Sequence, residues 1–301
     1  MPIARPARRA IVALSVAAVA ATGSLIATVT AGASPGNHGN HAASQAVASA
    51  PITGEAAAKA MSAQHMVLPT TPSTPTLKTS GGTAYTQSWA GYVADGPKFR
   101  FVQATIVVPT ANCHKTSNGW AYEWIGLDGT IRVRGTVEQD GVAVECFHGR
   151  AYYAAWYETF PKLPVFTNVA VFPGNHVKAT VYYDSRNHKY NFTLVNLANG
   201  EGFNTWQRCA ISSCRNASAE VITESPCKNS NCTLFINLAD YQTVHYSGIS
   251  FTDQAGQRGG INSGHWATTK NVMMDLAGHL KTNTSGISRN SAFFTWWTRS
   301  S

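Results

Sequence analysis

From Ser88 to the end of the chain, short runs of alternating polar and apolar residues are broken by turn formers at intervals of about eight to fifteen positions. The alternation is plain in VKATVYYD and KYNFTLVN. Turn residues punctuate it at Pro173-Gly174-Asn175 and at Asn199-Gly200. Strands are expected over Ser88–Ala94, Arg100–Val108, Ala121–Leu127, Gly135–Val144, Ala151–Glu158, Thr167–Phe172, His176–Tyr183, Tyr190–Val195, Ala219–Glu224, Val244–Phe251 and Ala292–Trp297. No segment of helical period interrupts them, and no repeat of fixed length relates them. The pattern predicts an all-β fold, either a sandwich or a barrel. Only 13% of the 301 residues are charged, against about 25% in an ordinary soluble domain. That excludes a coiled coil or a highly charged disordered chain.

The first eighty residues differ. Arg5, Arg8 and Arg9 precede an apolar stretch rich in Ala, Val, Leu, Thr and Ser that ends at Ala31-Gly32-Ala33. A positive start, an apolar centre and a small-x-small end read as a secretory signal peptide over residues 1–33. A membrane anchor is the alternative. Residues 34–82 contain no Trp, Tyr or Phe and are rich in Ala, Ser, Thr, Pro and Gly. They read as a flexible prosegment or linker, with a short helix over Gly54–Leu68. The domain proper is then 83–301, in a secreted, extracellular protein without a membrane segment after signal cleavage. The formal charge is +8, part of it in the leader. The remaining Lys and Arg are scattered, with no cluster of nucleic-acid type.

Six cysteines (Cys113, Cys146, Cys209, Cys214, Cys227 and Cys232) behind a signal peptide predict disulfides. Fifteen pairings are formally possible. The short loops Cys209–Cys214 and Cys227–Cys232 are the expected local pairs, which leaves Cys113–Cys146. There is no C-x-x-C and no zinc-finger histidine spacing, so no metal site is expected. G-x-S-x-G, D-T-G, H-E-x-x-H and the nucleotide-binding glycine motifs are absent as well.

Five clusters remain in the β region: Ser88-Trp89-Ala90-Gly91-Tyr92, Trp124 to Gly129 (WIGLDG), Val137 to Val142 (VEQDGV), Ala155-Trp156-Tyr157-Glu158, and Ala219 to Glu224 (AEVITE). In this order and at these separations the chain resembles the glutamic peptidases (eqolisins, family G1 or A4) over roughly residues 85–297. The resemblance implies a lectin-like (concanavalin-like) β-sandwich of two antiparallel sheets. It implies peptide-bond hydrolysis in acid by one glutamine and one glutamate. The Q-x-G motif places the glutamine at Gln139. The A-E-x-I-x-E motif places the glutamate at Glu224. Asp128 of W-x-G-x-D-G would support the site, and Glu158 of A-W-Y-E would line the cleft. Trp89 and Trp124 are candidate cleft walls. Protein or peptide substrates are implied, with no cofactor and no metal, and a monomer is the default.

Side-chain alternation supplies a partial check. Glu220, Ile222 and Glu224 share one face of a strand, with Val221 and Thr223 on the other. Parity does not separate Glu220 from Glu224, so the choice of Glu224 rests on the motif. The chemistry is coherent: an ionised glutamate takes a proton from water, and a glutamine amide donates to the oxyanion.

The chain also departs from the pattern. Ala143 stands where relatives commonly carry an aspartate, and Ser225-Pro226-Cys227 replaces an acidic continuation after the glutamate. Two rival readings exist. A glycoside hydrolase would use Glu158 and Glu224, about 5–5.5 Å apart if retaining. A carbohydrate-binding sandwich would use its tryptophans as platforms.

Overall fold

A strand that alternates apolar with polar buries its apolar face only if a second layer covers it. In the computed structural model, which describes residues 50–64, 76–130, 135–228 and 234–301, the chain supplies that layer itself. The expected signal peptide (1–33) and parts of the expected prosegment (34–49 and 65–75) lie outside the described residues.

Among the described residues, one helix, α1 (Gly54–Gln64), precedes the strands. These are β1 (Lys78–Ser80), β2 (Thr83–Thr86), β3 (Trp89–Asp95), β4 (Phe99–Val107), β5 (Gly119–Leu127), β6 (Glu138–Phe147), β7 (Arg150–Thr159), β8 (Val165–Phe166) and β9 (His176–Asp184). There follow β10 (Lys189–Asn196), β11 (Gly202–Arg208), β12 (Ser218–Glu224), β13 (Thr243–Asp253), β14 (Arg258–Gly259), β15 (Ala267–Met274), β16 (Leu280–Thr284) and β17 (Phe293–Trp297).

One layer runs β8–β7–β6–β5–β12–β3–β15. The other runs β16–β17–β13–β4–β9–β10–β11. Strand β15 hydrogen-bonds to both β3 and β16, so the two layers are one ribbon folded over at that edge. The pairs within each layer are antiparallel, as expected. At the fold edge, β15 also pairs with β2 in parallel.

Between the layers, Ile125, Leu127, Val142 and Val144 of one sheet meet Val102, Ile106, Val181, Phe192 and Leu194 of the other. The opposite face of the first layer carries a second apolar cluster containing Trp89, Trp120, Tyr122, Trp124, Ala154 and Trp156. The same strands therefore bury both faces, which is why β5 and β12 are buried along their whole length.

Helix α1 completes the second cluster. Its alanine-rich sequence favours helix, and Glu55 lies in the first turn, where the helix dipole stabilises an acid. Ala57 and Met61, one turn apart, are fully buried in the cluster. Just upstream, Ile52 adds main-chain bonds to β7: Ile52 N donates to Ala151 O, and Tyr153 N donates to Ile52 O, both at 2.9 Å. The helix expected over Gly54–Leu68 is thus formed over Gly54–Gln64.

One expected strand, Thr167–Phe172, is not formed. Val169 and Val171 are buried, as their alternation implies. However, Ala170 N donates to a Glu201 carboxylate oxygen and Val171 N to Thr53 Oγ1, both at 2.8 Å. Thr167 N still donates to Ala155 O of β7, but side chains take the N–H groups of Ala170, Val171 and Phe172, so alternation here marks burial without a continued ladder.

Disulfides join Cys113 to Cys146 and Cys209 to Cys214. Cys227 is disulfide-bonded too, but its expected partner Cys232 lies outside the described residues. No helix among the described residues is long and apolar enough to cross a membrane.

Candidate active site

Five neighbouring strands, β3–β12–β5–β6–β7, place their outward side chains in register. One row reads Val93, Glu220, Gly126, Gln139, Glu158. The next reads Gly91, Ile222, Trp124, Gly141, Trp156. A third reads Trp89, Glu224, Tyr122, Ala143, Ala154. A fourth holds Trp120, Glu145 and Tyr152. All of the sequence-derived candidates except Asp128 stand on this grid.

Two glycines of the motifs are required by close approach. A Cβ on Gly141 would lie 2.1 Å from the carbonyl oxygen of Glu123, so only glycine lets β6 close beneath Trp124. A Cβ on Gly126 would lie 3.1 Å from Cβ of Gln139 and 3.0 Å from the ring of Trp124. The bare Cα at Gly126 makes room for the glutamine.

The polar groups are tethered. Gln139 Nε2 donates to Glu158 Oε2 at 2.8 Å. Trp124 Nε1 donates to Glu224 Oε2 at 2.8 Å. The Trp89 ring meets Trp124 edge to face with centroids 5.0 Å apart. Gln139, Glu158 and Glu224 are all buried.

The structure separates the two glutamates that parity left equivalent. The Tyr122 hydroxyl feels the charges of Glu158, Glu224 and Glu145. Glu220, near the start of β12, feels the charges of Asp128, Glu138 and Asp95 instead. Burial pushes the Glu220 carboxyl well up, and those neighbouring acids push it further, while the nearby Ser218 hydroxyl pulls it down.

Asp128 stands off this grid. It follows β5 with φ of 68° and accepts the backbone N–H groups of Arg215, Asn216 and Ala217 at 2.8, 2.7 and 2.6 Å. Thr136 Oγ1 adds a longer bond at 3.3 Å. Burial raises its carboxyl above the usual range while these donors pull it down. It pins the segment that leads into β12 to the end of β5.

Nearby, Glu138 Oε1 lies 2.9 Å from the sulfur of Cys214, with Cys209 alongside. Both thiols are spent in their disulfide, so this trio offers a metal one carboxylate and no thiolate. Beyond the fourth row an open pocket of 310 Å³ is lined by residues including Trp120, Glu145, Lys228, Phe235 and Asn237.

The motifs gave no site role to Tyr122, Glu145 or Trp156, which stand on the same grid as the candidates. The signal was available: Tyr122 lies two residues before Trp124 and Trp156 two before Glu158, so each shares its neighbour's face.

Residues 87–296, well over half of the chain, match the sequence model of the Peptidase A4 family. Among solved structures, scytalido-glutamic peptidase with a transition state analog inhibitor is similar at a TM-score of 0.59 and 23% identity, over 70% of this chain and 98% of that one. SCP-B, a member of the eqolisin family in complex with the tripeptide Ala-Ile-His, is similar at a TM-score of 0.57 and 22% identity, with the same coverage. No curated protein matches. The matched span and the eqolisin-type sandwich define a glutamic peptidase, a hydrolase of peptide bonds. The chain belongs to the Peptidase A4 family.

Proposed function

We propose that this protein is a secreted, acid-acting glutamic endopeptidase, made with a prosegment and working as a monomer, with Gln139 and Glu224 as its catalytic pair. The observation that carries the assignment is that each group is oriented by its own tether on one face, Glu224 by the Trp124 indole and Gln139 by Glu158.

Ionised Glu224 takes a proton from a water molecule, and the water oxygen bonds to the scissile carbonyl carbon. The carbonyl oxygen becomes an oxyanion. A primary amide carries two N–H donors; one, held by Glu158, fixes where the other points, and Gln139 directs that second donor to the oxyanion. Such a donor is worth roughly 2.7–4 kcal/mol in known oxyanion holes. Glu224 then passes its proton to the amide nitrogen, the C–N bond breaks, and the carbonyl re-forms. The amide of Gln139 does not titrate, and an unperturbed glutamate ionises near ~4.3, so the pair is suited to mild acid. Trp89 and Trp124 wall the cleft. Asp128 supports it through the 215–217 segment.

Residues 34–82 act as the prosegment, and the mature chain begins between Thr70 and Ser88. This is supported by α1, which buries Ala57 and Met61 in the cluster that holds Trp89, Trp124 and Trp156. A helix seated there keeps substrate from the catalytic pair. Disulfides fit an oxidising, extracellular setting.

The test follows cleavage of denatured casein from about pH 2 to about pH 7, with pepstatin and a chelator present, for wild type, Gln139→Ala and Glu224→Ala. Activity that resists both inhibitors and is lost in both folded variants is expected. A variant that keeps full activity removes its residue from the pair. Low-pH incubation of Glu224→Gln tests self-processing: the prosegment should stay attached, and its release would assign processing to another protease.

A further inference from the structure

Among the described residues, three donors on these four rows are fully buried with no protein acceptor: Nε1 of Trp89, Nε1 of Trp156 and the hydroxyl of Tyr122. A buried donor without a protein acceptor is costly, and it offers a hydrogen bond to a group that enters the site.

Trp89 and Tyr122 both stand opposite Glu224, and Tyr122 is the one whose strand, β5, lies between Glu224 on β12 and Gln139 on β6. It stands directly opposite Glu224 on one side and Ala143 on the other, with Ala154 beyond. The two alanines leave the phenol ring headroom. Three aromatic neighbours set its direction, with centroids at 4.8 Å (Trp156), 5.8 Å (Trp120) and 6.5 Å (Phe166). Its hydroxyl lies in the field of Glu158, Glu224 and Glu145 yet bonds to none of them. Burial first, and those carboxylates second, hold the phenol far from ionising, so it remains a donor throughout acid and neutral pH.

We infer that Tyr122 is a third catalytic residue, whose hydroxyl donates to the substrate carbonyl oxygen, from the Glu224 side of the cleft, as that oxygen becomes an oxyanion. The inference rests on the glutamic-peptidase reading of Gln139 and Glu224. No proton leaves Tyr122. It shares the oxyanion charge with the Gln139 amide, and both donors relax when the C–N bond breaks and the carbonyl re-forms. Stability and activity are then opposed at this atom. Phenylalanine fills the same space and keeps the stacking but removes the unmade donor.

The test compares the full-length wild type, Tyr122→Phe and Glu224→Gln. It reads kcat, KM, melting temperature and the affinity of a peptide phosphinate, which mimics the tetrahedral intermediate. In Tyr122→Phe, kcat should fall about 10- to 100-fold with KM within about twofold. Phosphinate affinity should fall by the same factor as kcat/KM, and the melting temperature should hold or rise. Unchanged kcat in Tyr122→Phe, beside an inert Glu224→Gln, removes Tyr122 and leaves the catalytic pair standing. A Tyr122→Phe that melts lower or fails to fold makes the hydroxyl structural and overturns the inference. A wild type that cleaves no peptide at any pH overturns both readings.

Discussion

The indole of Trp124 and the carboxylate of Glu224 are joined by a 2.8 Å hydrogen bond that crosses one strand boundary and steps between two register rows. A neutral donor on a buried carboxylate is charge-assisted and worth about 1.5–3 kcal/mol. Trp124→Phe keeps an aromatic ring against Trp89 but removes that donor. The expected result is a fall in kcat of about 10- to 100-fold with a small change in KM, measured by steady-state kinetics on a peptide. Wild-type kcat would mean that Glu224 needs no such tether.

Asp128 predicts a loss of stability more than of chemistry. Its carboxylate gathers three backbone donors at 2.6–2.8 Å. Asp128→Asn tolerates the left-handed backbone but turns an NH2 group toward N–H donors. A cost of about 2–4 kcal/mol is expected, read as a lower denaturation midpoint at unchanged m. At a temperature where the variant is folded, kcat should stay within about tenfold of wild type.

Buried acids make the fold prefer low pH. Burial raises the carboxyls of Glu123, Glu138, Asp140 and Glu220 well above their ordinary range. Neighbouring charges add to this at Glu138 and Glu220, and the backbone of Thr180 and Thr193 opposes it at Asp140. The folded chain therefore holds protons that the unfolded chain releases near pH ~4. Their stabilising contribution is complete below that value and is lost as pH rises through the higher folded values. The melting temperature should fall from mild acid toward neutrality. Glu123→Gln, which mimics the protonated acid between the sheets, should flatten part of that slope. An unchanged slope would show that Glu123 holds no proton in the folded chain that it loses on unfolding.

If α1 acts as the proposed prosegment helix, latency should weaken when its packing is loosened away from the proposed catalytic pair. Met61 is fully buried against the cleft-face cluster. Met61→Ala should loosen the helix by about 2–5 kcal/mol. Full-length Met61→Ala should therefore begin cleaving peptide with a shorter lag after acidification than wild type. An equal lag would separate α1 from activation.

Much of the fold was legible because strand-forming alternation is a local signal. The expected segments at His176–Tyr183 and Tyr190–Val195 correspond to β9 and β10. Strand β11 was overlooked because it lies on an outer edge, and its partly exposed faces leave little apolar contrast. Strands β15 and β16 carry the fold between layers with shifted registers, which no period-two pattern announces. Thr167–Phe172 failed in the opposite sense: it has the burial pattern without the ladder.

At the site, the motifs led to Gln139, Glu158 and Glu224, and alternation placed Glu220 and Glu224 on one face. That much the sequence determines alone, because successive Cβ atoms of a strand point to opposite sides whatever the strand packs against. Which residues meet was decided only by the tertiary structure. Register between β5, β6, β7 and β12 depends on how two sheets and a helix fill their shared volume, and a slip of one residue would turn every side chain to the other face. That nonlocal choice sets Trp124 to hold Glu224, puts Glu220 in the field of Asp128, and leaves the Tyr122 hydroxyl buried in the field of three carboxylates without a protein acceptor.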